Sequence, residues 1–480
     1  MSWPNGDKPL QGVGSRWLVR CLPARWLWYG ALFVVCLVAL AVFFRGCERR
    51  EILRPTPQMD ADAPFWVRVL LLGGAAECTV AVRSPFQVVR SDLGTECQAG
   101  QLAMAPTDGT TKITFTDGRF MLGASPLAGS ELIISPESPH IFTLNGQNYR
   151  GKLKLLVGRS GQTFNAINLV PLEPYLAGVV GCEMPDYWEP QALRAQAIAA
   201  RTYCLYIKNR FGVNRRWDVN KTQASQVYGG IGAESAQIWE AVNSTCGKVL
   251  VAGASSGEQK IEDGEQRTED EKQKTEGLPS SVRRHPSSGL SGLFPAYYSS
   301  ICGGHTADSR EIFGDRGETQ NFASLLTGVP CPYCMDVAKL SLFFWPMARF
   351  DREMVTRQLV ARYPALGALG PIEELVIAAR SDYGQFSRVT SIQLVGATGK
   401  TNRLGAEDLR LALDPSGRKI RSMMCQIVPW GNGWAFLAGR GWGHGVGMCQ
   451  CGAEGMARAG NDAETILQYY YPGCEIVSLY

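Results

Sequence analysis

The chain has 480 residues, of which 45% are hydrophobic and 19% charged, with 48 basic side chains against 44 acidic ones. A chain of this length is expected to hold two or more packed units, and its composition excludes a wholly disordered, collagen-like or coiled-coil protein. A formal net charge of +4 lacks the basic footprint of a nucleic-acid binder, so no nucleic-acid partner is expected. Many of the 53 glycines fall in short clusters, which points to a loop-rich or β-rich body. The 15 cysteines are scattered, and an odd count leaves at least one unpaired.

Residues 1–25 carry no hydrophobic period and read as a short tail. Residues 26–44, WLWYGALFVVCLVALAVFF, hold no charge and are long enough to approach the span of a hydrocarbon core, so one uncleaved transmembrane helix is predicted. Trp26, Trp28 and Tyr29 suit a headgroup boundary. Arginines on both sides leave the positive-inside rule without a decision on orientation. Residues 45–64 read as a juxtamembrane linker, and residues 65–170 as a β-rich part, with strands predicted at VRVLLL (67–72), CTVAV (78–82), KITF (112–115), ELIIS (131–135) and KLKLLV (152–157).

Residues 171–252 begin with VPLEPYLAGVVGCEMP, which places Glu183 between an apolar strand-like run and a helix predicted over Pro190–Lys208. A carboxyl held half-buried there would have a raised pKa and serve as a general acid near neutrality. On the helix, Leu193, Ala197, Ala200 and Cys204 share one face, and Arg194 and Arg201 share another. Residues 253–292 are charged, then rich in Pro, Ser and Gly, and read as a disordered insertion. Residues 293–480 alternate predicted helices (351–362 and 462–471) with short strands (374–378 and 389–395). The stretch GRGWGHGVGMCQCGA lacks the Lys-Ser/Thr of a phosphate loop; its small residues instead let the backbone and Trp442 approach a flat ligand such as a sugar. Cys302 and His305, with Cys331 and Cys334, form C-x2-H and C-x2-C pairs about 25 residues apart, suited in type and number to a structural Zn²⁺. A disulfide or free thiols is the alternative, and Cys449 and Cys451 are assigned no function.

Glu183-Met184-Pro185, LRAQAIAARTY (193–203), SQVYGG (225–230), CGGHT (302–306), GRGWGHGVGMCQCGAEGMARAG (439–460) and ILQYYYPG (466–473) together strongly resemble the stage II sporulation protein D (SpoIID/LytB) family, from about Val67 to Tyr480. The resemblance implies an α+β fold, a SpoIID-like mixed α/β catalytic body with a β-rich N-terminal part behind one transmembrane helix. It also implies a lytic transglycosylase that cuts peptidoglycan glycan strands, preferentially peptide-stripped ones, with its N-terminus cytoplasmic and its catalytic body outside the cell membrane. Glu183 matches the family's catalytic Glu. It would protonate the oxygen between N-acetylmuramic acid and N-acetylglucosamine, then take the muramyl C6 hydroxyl proton as a 1,6-anhydro ring closes. One carboxylate suffices, whereas a hydrolase ordinarily needs a second, for which Asp186 and Glu189 are nearest in sequence.

By the same resemblance Gln196, Tyr203, Gln226, Tyr228, His444 and Gln450 are candidate cleft residues beside Arg194, Arg201 and Trp442. The chain departs from the family in having Arg194 at a usual Lys and Ser299 at a usual His of the motif before CGG. Some family members carry zinc near the groove, and the missing His leaves His305 and the CPYC pair as a local substitute. Two competing readings are a non-catalytic wall-binding activator of a partner amidase and a thiol or zinc hydrolase using Cys182 or Cys302 with His305.

Overall fold

A computed structural model describes residues 63–90, 102–104, 109–127, 129–253, 290, 292–314 and 320–480. The tail, the expected membrane span 26–44, nearly all of the linker 45–64 and the interior of the insertion 253–292 lie outside the described residues. Among the described residues no helix is long and apolar enough to cross a membrane.

The N-terminal part is built of strands. Trp66–Ala75 shows the period-2 pattern of a half-buried strand, with Val67, Val69 and Leu71 turned into the core. It lies in a sheet ordered Val219–Asn220, Trp66–Ala75, Phe164–Pro171, Lys152–Val157, Glu131–Pro136, Phe86–Arg90, Leu102–Met104. A second sheet runs Gln147–Arg150, Ile141–Leu144, Glu77–Ala81, Thr111–Thr116, Arg119–Leu122, Ser125–Leu127. Pairing is antiparallel throughout, except where Val219–Asn220 joins Trp66–Ala75 in parallel. Rings from both sheets meet between them, Phe120 lying 4.9 Å from Phe115 and 5.7 Å from Phe164. All of the predicted strands of this part are present within a few residues.

The apolar run before Glu183 is not a strand. Leu172–Glu183 is a helix, α1, with Pro174 and Glu173 in its first turn, where a missing N–H and a negative charge are both tolerated. The run looked strand-like because α1 is buried almost all round, leaving no polar face to reveal a helical period. Gly178 and Gly181 let it press against the turn Gly230–Ala233: a Cβ on Gly181 would stand 1.9 Å from the Ala233 carbonyl oxygen, and one on Gly178 2.5 Å from the Tyr228 ring. The predicted long helix follows as α2, Pro190–Phe211, and Ala236–Ser244 forms α3 with Ser235 as its N-cap. The ends of the charged insertion close on each other, Ala252 N–H donating to Gly292 O at 2.9 Å.

Residues 293–480 divide into two cores. Residues 345–436 pack around Phe350, Val355, Ile372, Ile392, Leu409 and Phe436, in an antiparallel sheet Ile372–Asp382, Ser387–Gly396, Thr401–Gly405 faced by helices α4 (Arg352–Arg362) and α5 (Ala406–Leu413). The rest of this stretch, with helices α6 (Gln450–Arg458) and α7 (Ala463–Tyr470), shares the main core with the N-terminal strands and α1 to α3. Charged groups inside the main core are paired: Arg150 makes two 2.8 Å bonds to Glu234, and the fully buried Arg201 grips Glu173 at 2.9 and 2.6 Å.

Because α1 can approach the 230–233 turn only without a side chain at position 181, Gly181→Ala is expected to cost about 1–3 kcal/mol of stability. A thermal melt checks this, and an unchanged midpoint contradicts the close packing.

Candidate active site and a four-thiol knot

A cleft of about 480 Å³ lies between the main body and α5, with Glu183 in its wall. Glu183 is the last residue of α1 and is half-buried. The Val227 N–H donates to its Oε1 at 3.1 Å, and Gln450 Nε2 donates to its Oε2 at 3.2 Å. Burial raises its pKa above the ordinary 4.5, while the two hydrogen bonds pull the other way without cancelling the effect. A carboxylate at a helix C-terminus also faces the negative end of the helix dipole, which acts in the same direction as burial. The group is thus held in one orientation and biased toward its protonated form.

Tyr203, Trp442, His444 and Gln450 line the same cleft, together with Tyr297, Tyr298 and Phe313. Arg421 stacks on Trp442, its guanidinium carbon 4.8 Å from the ring centre. His444 Nδ1 accepts the Val446 N–H at 3.0 Å, so the neutral ring carries its proton on Nε2. Burial lowers the His444 pKa to about 4, and the ring packs against Tyr297 and Phe313. It is a neutral wall residue rather than a cation at neutral pH.

Other predicted residues sit elsewhere. Arg194 is bound to Glu240 at 2.6 Å and to Ser244, on the side of α2 that meets α3. Arg201 is buried in its Glu173 pair and also donates to the Lys248 and Val242 carbonyls, so it holds the fold instead of facing a ligand. Seven residues on a helix put these two side chains on one stripe, but α3 and the strand Lys248–Ala252 cover that stripe. Gln196 is fully buried in α2, away from the cleft lining, and its side-chain atoms have no hydrogen-bond partner among the described residues. Tyr228 is buried with its hydroxyl on Asn168 Oδ1 at 3.0 Å. Gln226 lies behind the wall: it accepts from the Tyr175 hydroxyl and donates to Ala200 O and the Tyr298 hydroxyl. Its role is to pin the backbone that presents the Val227 N–H to Glu183.

Asp186 and Glu189 are exposed and outside the cleft lining. The second carboxylate in the cleft is Glu407 on α5, bound to Arg410 at 2.9 and 2.5 Å. Burial alone would raise the Glu407 pKa, and the Arg410 charge overcomes this to hold it below the usual range. Nothing in the sequence marked the pair, because a Glu and an Arg three residues apart are ordinary on a helix surface. Cys182 also borders the cleft, and burial raises its pKa, which disfavours a thiolate nucleophile.

Behind the Gln450 wall, Cys302, Cys331, Cys334 and Cys449 are buried with all four sulfurs within 4.8 Å of one another. His305 is not among them. Its ring stacks on Tyr383 with centres 4.2 Å apart, and its Nδ1 lies 2.6 Å from Thr306 O. It therefore pairs with neither Cys182 nor Cys302 in the arrangement a thiol hydrolase needs. The fourth member of the group is Cys449, which precedes Gln450 and caps α6 by accepting from the Gly452 N–H. No two of the four are bonded, and Cys302 and Cys334 sulfurs are 3.7 Å apart. Sulfurs on a tetrahedral zinc are about 3.8 Å apart for Zn–S near 2.3 Å, so the donor set fits that ion in kind and spacing.

Residues 160–251, which carry Glu183, α1, α2 and the Val227 backbone, match the family model described as SpoIID, stage II sporulation protein. A Brachyspira hyodysenteriae protein named as uncharacterised is 28% identical over 86% of this chain and 92% of its own length. The Bacillus subtilis stage II sporulation protein D is 26% identical over 65% of this chain and 76% of its own. The Bacillus subtilis amidase enhancer is 23% identical over 77% of this chain and 50% of its own. The chain thus carries a SpoIID-type domain over residues 160–251 and is similar to stage II sporulation protein D beyond it.

A carboxyl whose pKa is raised by folding subtracts stability as pH rises above its unfolded value near 4.5. Glu183→Gln, a neutral isostere, is therefore expected to melt above the native chain at pH 7, and the gap is expected to close below about pH 4.5. Melting curves across that range check it; a variant less stable at pH 7 contradicts the raised pKa.

Proposed function

We propose that this chain has a cell-wall-related role as a lytic transglycosylase, cutting between N-acetylmuramic acid and N-acetylglucosamine in peptide-stripped peptidoglycan strands. The observation that carries this reading is Glu183, sheltered in the cleft wall with a raised pKa and both oxygens positioned by donors. In its acid form Glu183 gives its proton to the glycosidic oxygen as the C1–O bond breaks. The carboxylate then accepts the C6 hydroxyl proton while that oxygen bonds to C1, and the 1,6-anhydro end forms without water. Glu407 does not duplicate this role, since its charge is committed to Arg410. A fixed carboxylate there helps balance the positive charge that develops on the sugar ring. Trp442, Tyr203 and Tyr298 supply flat surfaces for sugar rings.

The four cysteines are the proposed ligands of one structural Zn²⁺. Four protein thiolates leave no open position for a reacting group, so the ion would supply rigidity and not chemistry. What it would hold is the start of α6, and with it the amide of Gln450 against Glu183. The chain is read as anchored by residues 26–44, its N-terminus cytoplasmic and its body facing the wall. The relative named amidase enhancer favours a second reading, a non-catalytic activator of an amidase, and an amidase is a proposed partner in either case.

The purified chain is expected to release 1,6-anhydromuramyl ends from peptide-free glycan strands, with Glu183→Gln lowering the rate by about 10²–10⁴-fold. Mass spectrometry of the products separates anhydro from reducing ends. Equal product from both proteins rejects Glu183. Amidase stimulation by a native chain that makes no anhydro ends establishes the activator instead.

A further inference from the structure

Among the described residues two arginines beside the thiol knot, the buried Arg388 and the half-exposed Arg440, are in no ion pair with a carboxylate. Arg388, on the strand Ser387–Gly396, is 1% exposed. Its Nη2 donates to the Cys302 carbonyl at 2.9 Å, and its Nε and Nη1 have no hydrogen-bond partner among the described residues. Gly445 makes room for it, since a Cβ there would lie 2.6 Å from Arg388 Nη2. Arg440 runs against Gly303 and Gly304, which follow Cys302, with its guanidinium carbon 4.1 Å from the Phe386 ring centre. Its Nε likewise has no hydrogen-bond partner among the described residues. Among the described residues neither arginine is in an ion pair with a carboxylate, whereas Arg150, Arg201 and Arg410 each are.

A buried guanidinium without an ion-paired carboxylate is costly, and the Glu407 carboxylate that feels the Arg388 charge is itself bound to Arg410. A divalent ion on four thiolates leaves a formal dianion, and two guanidiniums cancel it. We infer that Arg388 and Arg440 are the charge-balancing outer partners of a tetrathiolate metal site formed by Cys302, Cys331, Cys334 and Cys449. The inference rests on reading the knot as a metal site, and is independent of whether the cleft cuts glycans. Arg388 acts from the Cys302 side and also ties the second core to the knot, because its strand belongs to that core.

The test uses the full-length chain, purified reduced, with Zn²⁺ measured by elemental analysis and its affinity by competition with a chromophoric chelator. One Zn²⁺ per chain is expected, and Co²⁺ in its place should give the intense bands of four-sulfur coordination. Arg388→Gln and Arg440→Gln are each expected to weaken Zn²⁺ about 10–100-fold, the usual loss for an outer-shell partner. Arg388→Lys and Arg440→Lys, which keep the charge, should lose less, and the exposed Arg357→Gln should lose nothing. If Arg388→Gln does not fold, the half-exposed Arg440 carries the comparison. The proposal is overturned by folded Gln variants with native affinity, by Co²⁺ bands of oxygen or nitrogen coordination, or by a chain that binds no metal. Loss of anhydro products with Zn²⁺ affinity intact would count against the glycan reading alone.

Discussion

The two hydrogen bonds that hold the Glu183 carboxyl are the constraint on which the rest of the architecture depends. One comes from a backbone N–H 44 residues away and the other from a side chain 267 residues away, so neither exists until distant parts of the chain are packed. Each donor has its own support. Gln226 fixes the loop that carries Val227 by reaching Tyr175, Ala200 and Tyr298 at once. Gln450 begins α6, whose N-cap is one of the four clustered cysteines. A carboxyl so supported can be kept from water without losing its aim, and that combination is what a proton donor near neutrality requires.

The cleft is a seam between two hydrophobic cores, and each contributes what the other lacks. The main core supplies the sheltered acid and the aromatic wall, while the second delivers a compensated carboxylate on α5. Two carboxyl groups in one cleft are driven apart in pKa by opposite surroundings: Glu183 by burial without a cation, Glu407 by the guanidinium of Arg410. The thiol knot lies where the chain passes from one core to the other and back, which is where a cross-link would do most to fix the seam.

Much of this was legible in the amino-acid sequence, and the failures have identifiable causes. Strands with clean period-2 alternation and the long Ala-rich helix were readable because local pattern and tertiary burial agree there. The helix α1 was not, since burial on all sides and paired glycines erase the helical stripe. Among the candidate site residues, Glu183, Tyr203, Trp442, His444 and Gln450 meet in one cleft. Arg194, Gln196, Arg201, Gln226 and Tyr228 belong to the same motifs but hold the scaffold, because a motif preserves packing as well as chemistry and spacing cannot separate the two. Cys449 replaced His305 in the thiol cluster for a similar reason. Local spacing favoured the nearby His, whereas the fold brings a cysteine from beyond the second core. Glu407 and Arg410 gave no local sign at all, their position being a product of how that core sits along the cleft.

The central claim is that folding raises the proton affinity of one carboxyl. Carbon-13 NMR of the chain labelled at glutamate side chains, with Glu183→Gln used to assign the resonance, reads that affinity directly. A Glu183 carboxyl that titrates above the ordinary value of 4.5 is the expected result. A midpoint at or below that value would contradict the account, because a group already ionised there has no proton to give at neutral pH.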